Sequence, residues 1–249
     1  MPNDFYFSGT GNSKHVAFSM SDENRISIGE AMKSGSFTYE ATDGEAVGFI
    51  MPVYYSGIPK TVLDFIKKLK LTGNIDYIYG ILTHGGGPGG AGTMLQKSLS
   101  KKGYHLDACF DVKMTSNYIM FGDLRPDERI KDELEAAKPV IQKIKESVDN
   151  REKILPDWSV VDGFLTSCMK VLCDKHMSVK GFHADEGCTG CGMCVNNCPS
   201  GLIKMKDGKP VWTENKCVRC MACLKCPHVQ FNDKSSERRR YSYEKYSKM

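Results

Sequence analysis

The sequence contains no apolar run of the roughly 18 residues that a membrane-crossing helix needs, so no helical membrane span is expected. Its first residues, Met1-Pro2-Asn3-Asp4, lack the charged and apolar regions of a secretory leader. A reducing, cytoplasmic compartment is the expectation, with cysteines kept as thiols. There is neither a G-x4-G-K-[ST] nucleotide loop nor a complete G-x-G-x-x-G. No Ser/His/Asp set or carboxylate pair stands out for hydrolysis. Charge of one sign is also scarce: 34 Lys and Arg oppose 30 Asp and Glu, a formal +4. The short basic run Arg238-Arg239-Arg240 lies in a polar stretch and reads as a solvated tail rather than a nucleic-acid patch. What remains is a chain of 249 residues, 41% of them hydrophobic, long enough for one large or two modest domains.

What the chain does have, in one place, is cysteine. Eight of its 11 cysteines fall between Cys188 and Cys226. The first run, Cys188, Cys191, Cys194, Cys198 and Pro199, reads C-x2-C-x2-C-x3-C-P; the second is Cys217, Cys220, Cys223, Cys226 and Pro227. Thiolates are soft ligands that suit tetrahedral iron in an iron–sulfur cluster. The x2 spacings let one tight loop wrap three corners of a cubane, and the fourth cysteine points at a different cluster. Two alternatives compete. Structural zinc usually takes C-x2-C, a long gap, then C-x2-C. Disulfides need an oxidising compartment. Neither matches three consecutive x2 or x3 steps ending in Cys-Pro. Cys109, Cys168 and Cys173 lack ligand spacing and read as packing residues.

Residues 183–231 thus resemble a bacterial-type ferredoxin with two [4Fe–4S] clusters. Carried over position by position, the resemblance implies that Cys188, Cys191, Cys194 and Cys226 hold one cluster, and Cys217, Cys220, Cys223 and Cys198 the other. This chain departs from the pattern once: Cys223-Leu224-Lys225-Cys226 has x2 where the family has x3. In an α-helix a missing residue rotates a side chain by about 100° and shifts it about 1.5 Å. Cys226 is the ligand that this departure puts in question.

The N-terminal half reads as strand–loop–helix units. Residues 4–8 form a short apolar strand, followed by Ser8-Gly9-Thr10-Gly11-Asn12-Ser13 and a helix with Val16, Ala17 and Met20 on one face. Such a loop at a helix N-terminus is an anion site, with Ser8, Thr10 and Ser13 adding hydroxyls. It resembles the phosphate loop of flavodoxins, which implies FMN and phosphate contacts from Ser8, Thr10, Gly11, Asn12 and Ser13. Residues 25–32 are expected to be a second strand. Val47–Met51 is a clearer one, broken by Pro52. It leads into Tyr54-Tyr55-Ser56-Gly57 and a helix starting near Pro59 with Ile58, Val62, Phe65, Ile66 and Leu69 as its stripe. By the same resemblance, Pro52, Tyr54, Tyr55, Ser56 and Gly57 form the second flavin loop, with a tyrosine over the ring and Gly57 letting backbone approach it. The strand Tyr77–Leu82 runs into Thr83-His84-Gly85-Gly86 and further glycines, six in ten residues, which no core element tolerates. Thr83, His84, Gly85 and Gly86 match the third flavin loop.

Residues 105–114 alternate with period two, as a sheet edge does, and end at Thr115–Tyr118, another position able to touch a ligand. Residues 127–148 predict an amphipathic helix that Pro139 should kink or split. Residues 159–179 predict a bridging helix with Val161, Leu165, Cys168, Leu172 and His176 on one stripe.

The expected fold is α/β: a flavodoxin-like doubly wound parallel sheet with a small C-terminal α+β ferredoxin-like domain. Its expected divisions are 1–157 for FMN, 158–182 as a bridge, 183–231 for the clusters and 232–249 as a polar tail. The whole resembles flavodoxin–ferredoxin fusion proteins of anaerobes. That implies an electron carrier for redox partner proteins, without nucleic acid or a membrane span. Two oxidised clusters and a flavin phosphate, each about −2, would turn the formal +4 negative. A flavin-dependent reductase fed by the clusters, or a redox sensor using them structurally, are the other readings.

Overall fold

The computed structural model describes residues 3–21, 24–120, 122–155, 177–232 and 235–249. The chain runs β1 (Asn3–Tyr6), α1 (Asn12–Met20), β2 (Arg25–Ser27), α2 (Ile28–Ser34), β3 (Thr38–Glu40), β4 (Glu45–Pro52), α3 (Lys60–Lys68), β5 (Lys70–Thr72), β6 (Ile75–His84), α4 (Ala91–Ser100), β7 (Ala108–Lys113) and α5 (Asp127–Asp149). Five strands form one sheet in the order β2-β1-β4-β6-β7, and every pairing is parallel. Counted within that sheet the order is 2-1-3-4-5, the flavodoxin-like doubly wound arrangement. β3 and β5 make a separate parallel pair.

Alternation along the central strands builds two cores. Val47, Phe49 and Met51 of β4, with Ile78 and Leu82 of β6, pack with residues of α2, α3 and α4. Ile50, Tyr77, Tyr79 and Ile81 pack with α1 and with the Ile130–Val148 stripe of α5. All eight residues of β4 are buried, as expected of a parallel strand covered on both faces.

Two expectations change. The second strand stops at Ser27, because the Ser27 hydroxyl accepts from the Glu30 N–H and caps α2. A serine with glutamate three residues on is a helix-start signal, and it outcompetes strand propensity here. The helix α5 is not split, running unbroken through Pro139. Pro139 and Glu135, whose carbonyl loses its donor, are both exposed, so water can satisfy that group.

In the C-terminal part, β8 (Phe182–Ala184) pairs antiparallel with β11 (Val229–Phe231), and β9 (Ile203–Lys206) with β10 (Lys209–Trp212). A short helix spans Met193–Asn197 and a 3-10 turn spans Cys223–Lys225. The bridging helix expected over 159–179 lies mostly outside the described residues, Cys168 and Cys173 included. Its last three residues are not helical: Ser178 forms an antiparallel bridge with Lys216, and Val179 N–H donates to the Asn215 carbonyl at 3.0 Å.

The two halves are packed together. Val218, Cys220 and Ala222 are buried in the same core as Phe49 and Val62. Thr61 and Ser200 share a hydroxyl hydrogen bond of 2.7 Å, and Lys33 Nζ donates to the Asn196 carbonyl at 3.3 Å.

The C-terminal residues are not a solvated tail. Arg239 is bonded to both Asp123 and Asp127 and donates to the carbonyls of Leu124 and Arg125. Tyr241 and Tyr246 are buried, and a helical turn spans Tyr243–Tyr246. Guanidinium forks find free carbonyls in the loop before α5, and the tyrosines supply apolar area to bury.

Candidate functional site

Four loops at the C-terminal ends of the sheet strands enclose one cleft, at the crevice between β1 and β4 where the strand order reverses. Of the residues expected there, Ser8, Thr10, Asn12, Ser13, Pro52, Tyr54, Tyr55, Thr83, His84 and Gly85 line it. Gly11, Ser56, Gly57 and Gly86 do not. Gly11 sits at φ +110° as the N-cap of α1 and makes no side-chain cap. At Gly57 a Cβ would lie 2.8 Å from Met94 Sδ of α4.

The first loop is braced by side-chain hydrogen bonds, in two of which the Ser8 and Thr10 hydroxyls act as acceptors. Ser8 Oγ accepts from Gly11 N–H at 3.2 Å. Thr10 Oγ1 accepts from Asn117 Nδ2 at 2.6 Å. Ser13 and Thr83 share a buried hydroxyl bond of 2.7 Å. Asn12 is instead a crosslink, donating to the Thr115 carbonyl at 3.1 Å and accepting from Tyr241 hydroxyl at 2.5 Å. An uncapped helix N-terminus with hydroxyls around it suits a phosphate dianion. The opposite wall holds Tyr55, whose hydroxyl meets that of Tyr118 at 2.8 Å. Tyr55 and Ser56 take the left-handed conformation, φ +51° and +59°, a strain that clusters at binding loops.

Three buried polar atoms on the lining residues have no hydrogen-bond partner among the described residues: His84 Nδ1, Thr115 Oγ1 and Arg219 Nε. Buried polar groups are nearly always paired, so this cleft is equipped for a polar ligand. The other ring nitrogen of His84 meets Asp111 at 2.8 Å.

Arg219 is the residue that sequence reasoning missed. It stands between Cys217 and Cys220, where an x2 spacer is read only as spacing. It is 9% exposed. Its Nη2 donates to the Ser178 carbonyl at 3.0 Å and its guanidinium lies over the Phe231 ring at 4.9 Å. Thr115 to Tyr118 also line the cleft, at the strand end noted in the sequence.

Behind Arg219 lies a second, apolar chamber. It is lined by Cys198, Cys217, Cys220 and Cys223 together with Phe182, Leu202, Ile203 and Trp212, and by Arg219 itself. Burial pushes the Cys220 thiol up to about 12, with Cys198 and Cys217 acting the same way. Burial raises Cys223 well above its ordinary range, and Cys220, Cys217 and Cys198 add to it. Cys194 is raised by burial and then by its neighbours Cys226 and Cys188. The thiols thus fall into two neighbourhoods, Cys198/217/220/223 and Cys188/194/226, with Cys191 of the first run exposed between Gly190 and Gly192. A metal that binds such thiols displaces their protons, so loading would release protons. Zinc would need four sulfurs about 2.3 Å from one point. Among the described residues no three His, Cys, Asp or Glu side chains are grouped to hold a single ion.

The missing residue in the second run has a geometric counterpart. Cys194 to Cys198 crosses the Met193–Asn197 α-turn, and Cys223 to Cys226 crosses the Cys223–Lys225 3-10 turn. Four α-helical residues advance about 6.0 Å and turn about 400°. Three 3-10 residues advance about 6.0 Å and turn about 360°. Tighter winding thus absorbs the deletion, and Cys226 is buried beside Cys194.

Residues 187–231 match the family profile of the 4Fe-4S dicluster domain. A search of the curated proteins found no match. Among solved structures the chain is similar to a candidate flavoprotein from Bacteroides uniformis, at 16% identity and a TM-score of 0.33, over 46% of this chain and 91% of that one. It is also similar to the Trp repressor binding protein from Bacillus subtilis, at 14% identity and a TM-score of 0.34, over 57% of this chain and 98% of that one. At that level the fold rests on the strand order itself. Among the described residues no helix is long and apolar enough to cross a membrane.

Proposed function

We propose that the chain is an electron-transfer flavo-iron–sulfur protein, a fusion of a flavodoxin-like and a ferredoxin-like module. FMN occupies the cleft, its phosphate on the Ser8–Ser13 loop and its ring between Tyr55 and His84. One [4Fe–4S] cluster is held by Cys198, Cys217, Cys220 and Cys223, the other by Cys188, Cys191, Cys194 and Cys226. When bound, the flavin exchanges one or two electrons and each cluster exchanges one.

The observation that carries this reading is that Arg219 lines both the cleft and the four-cysteine chamber, so the two share a wall. Tyr54, on the cleft side, has its phenol raised well above the ordinary range by burial and further by Cys220. The protein's part is to hold ring and cluster side by side, exclude water between them, and present a cation at the boundary. Redox partner proteins would meet the other cluster, where Cys191 is exposed.

Anaerobic preparation followed by assay of iron, sulfide and flavin tests the reading. About eight irons, eight sulfides and one FMN per chain are expected. Replacing Ser8 and Thr10 by aspartate is expected to abolish flavin binding with iron unchanged, since a carboxylate would face the phosphate. Zinc in place of iron, or flavin that survives both substitutions, would overturn it.

A further inference from the structure

We infer that Arg240 is a positioning residue for Cys226, holding from outside the motif the tight turn that stands in for the missing spacer residue. The inference rests on the cluster reading proposed above and concerns how this chain meets it.

A 3-10 turn gives up hydrogen-bond quality for tight winding and is uncommon beyond a few residues, and a turn's last carbonyls need partners from elsewhere. Here one side chain reaches into that stretch, beside the Val229 N–H that also donates to the Cys226 carbonyl at 3.2 Å. Arg240 Nη1 donates to the carbonyls of Leu224 at 2.9 Å, Val229 at 2.9 Å, and Cys226. Its Nη2 donates to Gln230 Oε1 at 3.0 Å, and Gln230 Nε2 donates in turn to the Pro227 carbonyl at 3.0 Å. Four carbonyls between Leu224 and Val229 are thereby tied to one arginine and one glutamine.

Arg240 is itself held by its neighbours. On one side Arg239 is fixed by Asp123 and Asp127. On the other, Tyr241 is bonded to Asn12, and Tyr243 N–H donates to the Thr10 carbonyl at 2.8 Å. Among the described residues the first cysteine run has no arginine of this kind; a cation, Lys33, reaches its turn only at the Asn196 carbonyl, at 3.3 Å. Its α-turn has the full spacer, and Cys198 N–H closes it on the Val195 carbonyl at 3.2 Å.

The test is iron and flavin per chain in anaerobically prepared full-length R240A, R240K and C226A, with low-temperature spectra of the reduced clusters. R240A is expected to fall from about eight irons to about four, with flavin unchanged and with the same cluster signal missing as in C226A. R240K should regain most of the lost iron, because one ammonium can donate to the three carbonyls that Nη1 serves. Inserting one residue between Leu224 and Lys225 in R240A, which restores x3, should also recover it. R240A that keeps eight irons overturns the inference. So does R240A that loses flavin and iron together or is insoluble, since the arginine then supports the whole fold. Wild-type protein with four irons or fewer would sink the underlying reading, and this inference with it.

Discussion

The two cysteine runs share a backbone and differ in what makes it affordable. Cys191 lies between Gly190 and Gly192, at φ +74° and +76°, and Cys220 between Arg219 and Met221, at φ +49° and +63°. Each central cysteine is thus flanked by left-handed residues. Glycine takes that conformation at little cost, whereas a side-chain-bearing residue is strained by about 1 kcal/mol or more. In the second run the strain is offset by what the side chains do. Met221 is 3% exposed and lines the four-cysteine chamber, and Arg219 walls the cleft. The run that meets solvent is built from glycine, and the run that meets the rest of the protein is built from side chains. The same division appears at the second cysteine of each run: Cys191 is exposed and Cys220 is buried, whereas the other positions match.

The sharpest way to break this comparison is to remove the iron. Chelation of the holoprotein is expected to proceed in two steps of about four irons each. The cluster at exposed Cys191 should leave first, with no change in flavin fluorescence. The second step should change that fluorescence, because the chamber lined by Cys198, Cys217, Cys220 and Cys223 shares a wall with the cleft. A single phase, or a flavin response in the first step, would show that the two runs do not differ in access.

Next in size is the wall itself. Arg219→Ala removes the cation and the unpaired Nε while leaving every cysteine in place. Flavin affinity is expected to drop about tenfold, which is about 1.4 kcal/mol, with about eight irons retained. Fluorescence titration of flavin into apo-flavin protein measures it. Unchanged affinity would remove Arg219 from the site and leave it as packing against Phe231.

Most of the fold was legible in the sequence because burial and local chemistry agreed there. The strand β4 reads as apolar and is buried throughout, and the stripe of α3 is the face that packs. Three features were hidden for physical reasons. Ser27 and Glu30 end a strand and start a helix within one turn, which periodicity over eight residues averages away. Arg238 to Tyr246 look polar one residue at a time, yet Arg238 and Arg239 find their partners more than a hundred positions earlier, at Ile119, Asp123 and Asp127. Arg219 was concealed by its setting, since motif spacing counts spacer residues without weighing them. The cysteine pattern itself was plain, but the 3-10 winding across the short spacer shows only in three dimensions.

The smallest effect isolates the backbone term. At Gly192 a Cβ would meet nothing within 4 Å, so Gly192→Ala changes only the cost of the left-handed conformation. A loss of about 1 kcal/mol in stability is expected from anaerobic denaturation of the loaded protein. Gly190 is a poorer probe, because its Cβ would also press on the Gly208 carbonyl at 2.9 Å. The reciprocal change, Met221→Gly, relieves a similar strain but empties a buried site, and losing a buried methionine costs about 2–5 kcal/mol. Both exchanges should therefore destabilise, although one adds strain and the other removes it. If Met221→Gly were neutral or stabilising, burial would not be what holds the second run in its strained shape, and the contrast between the runs would reduce to their glycine content.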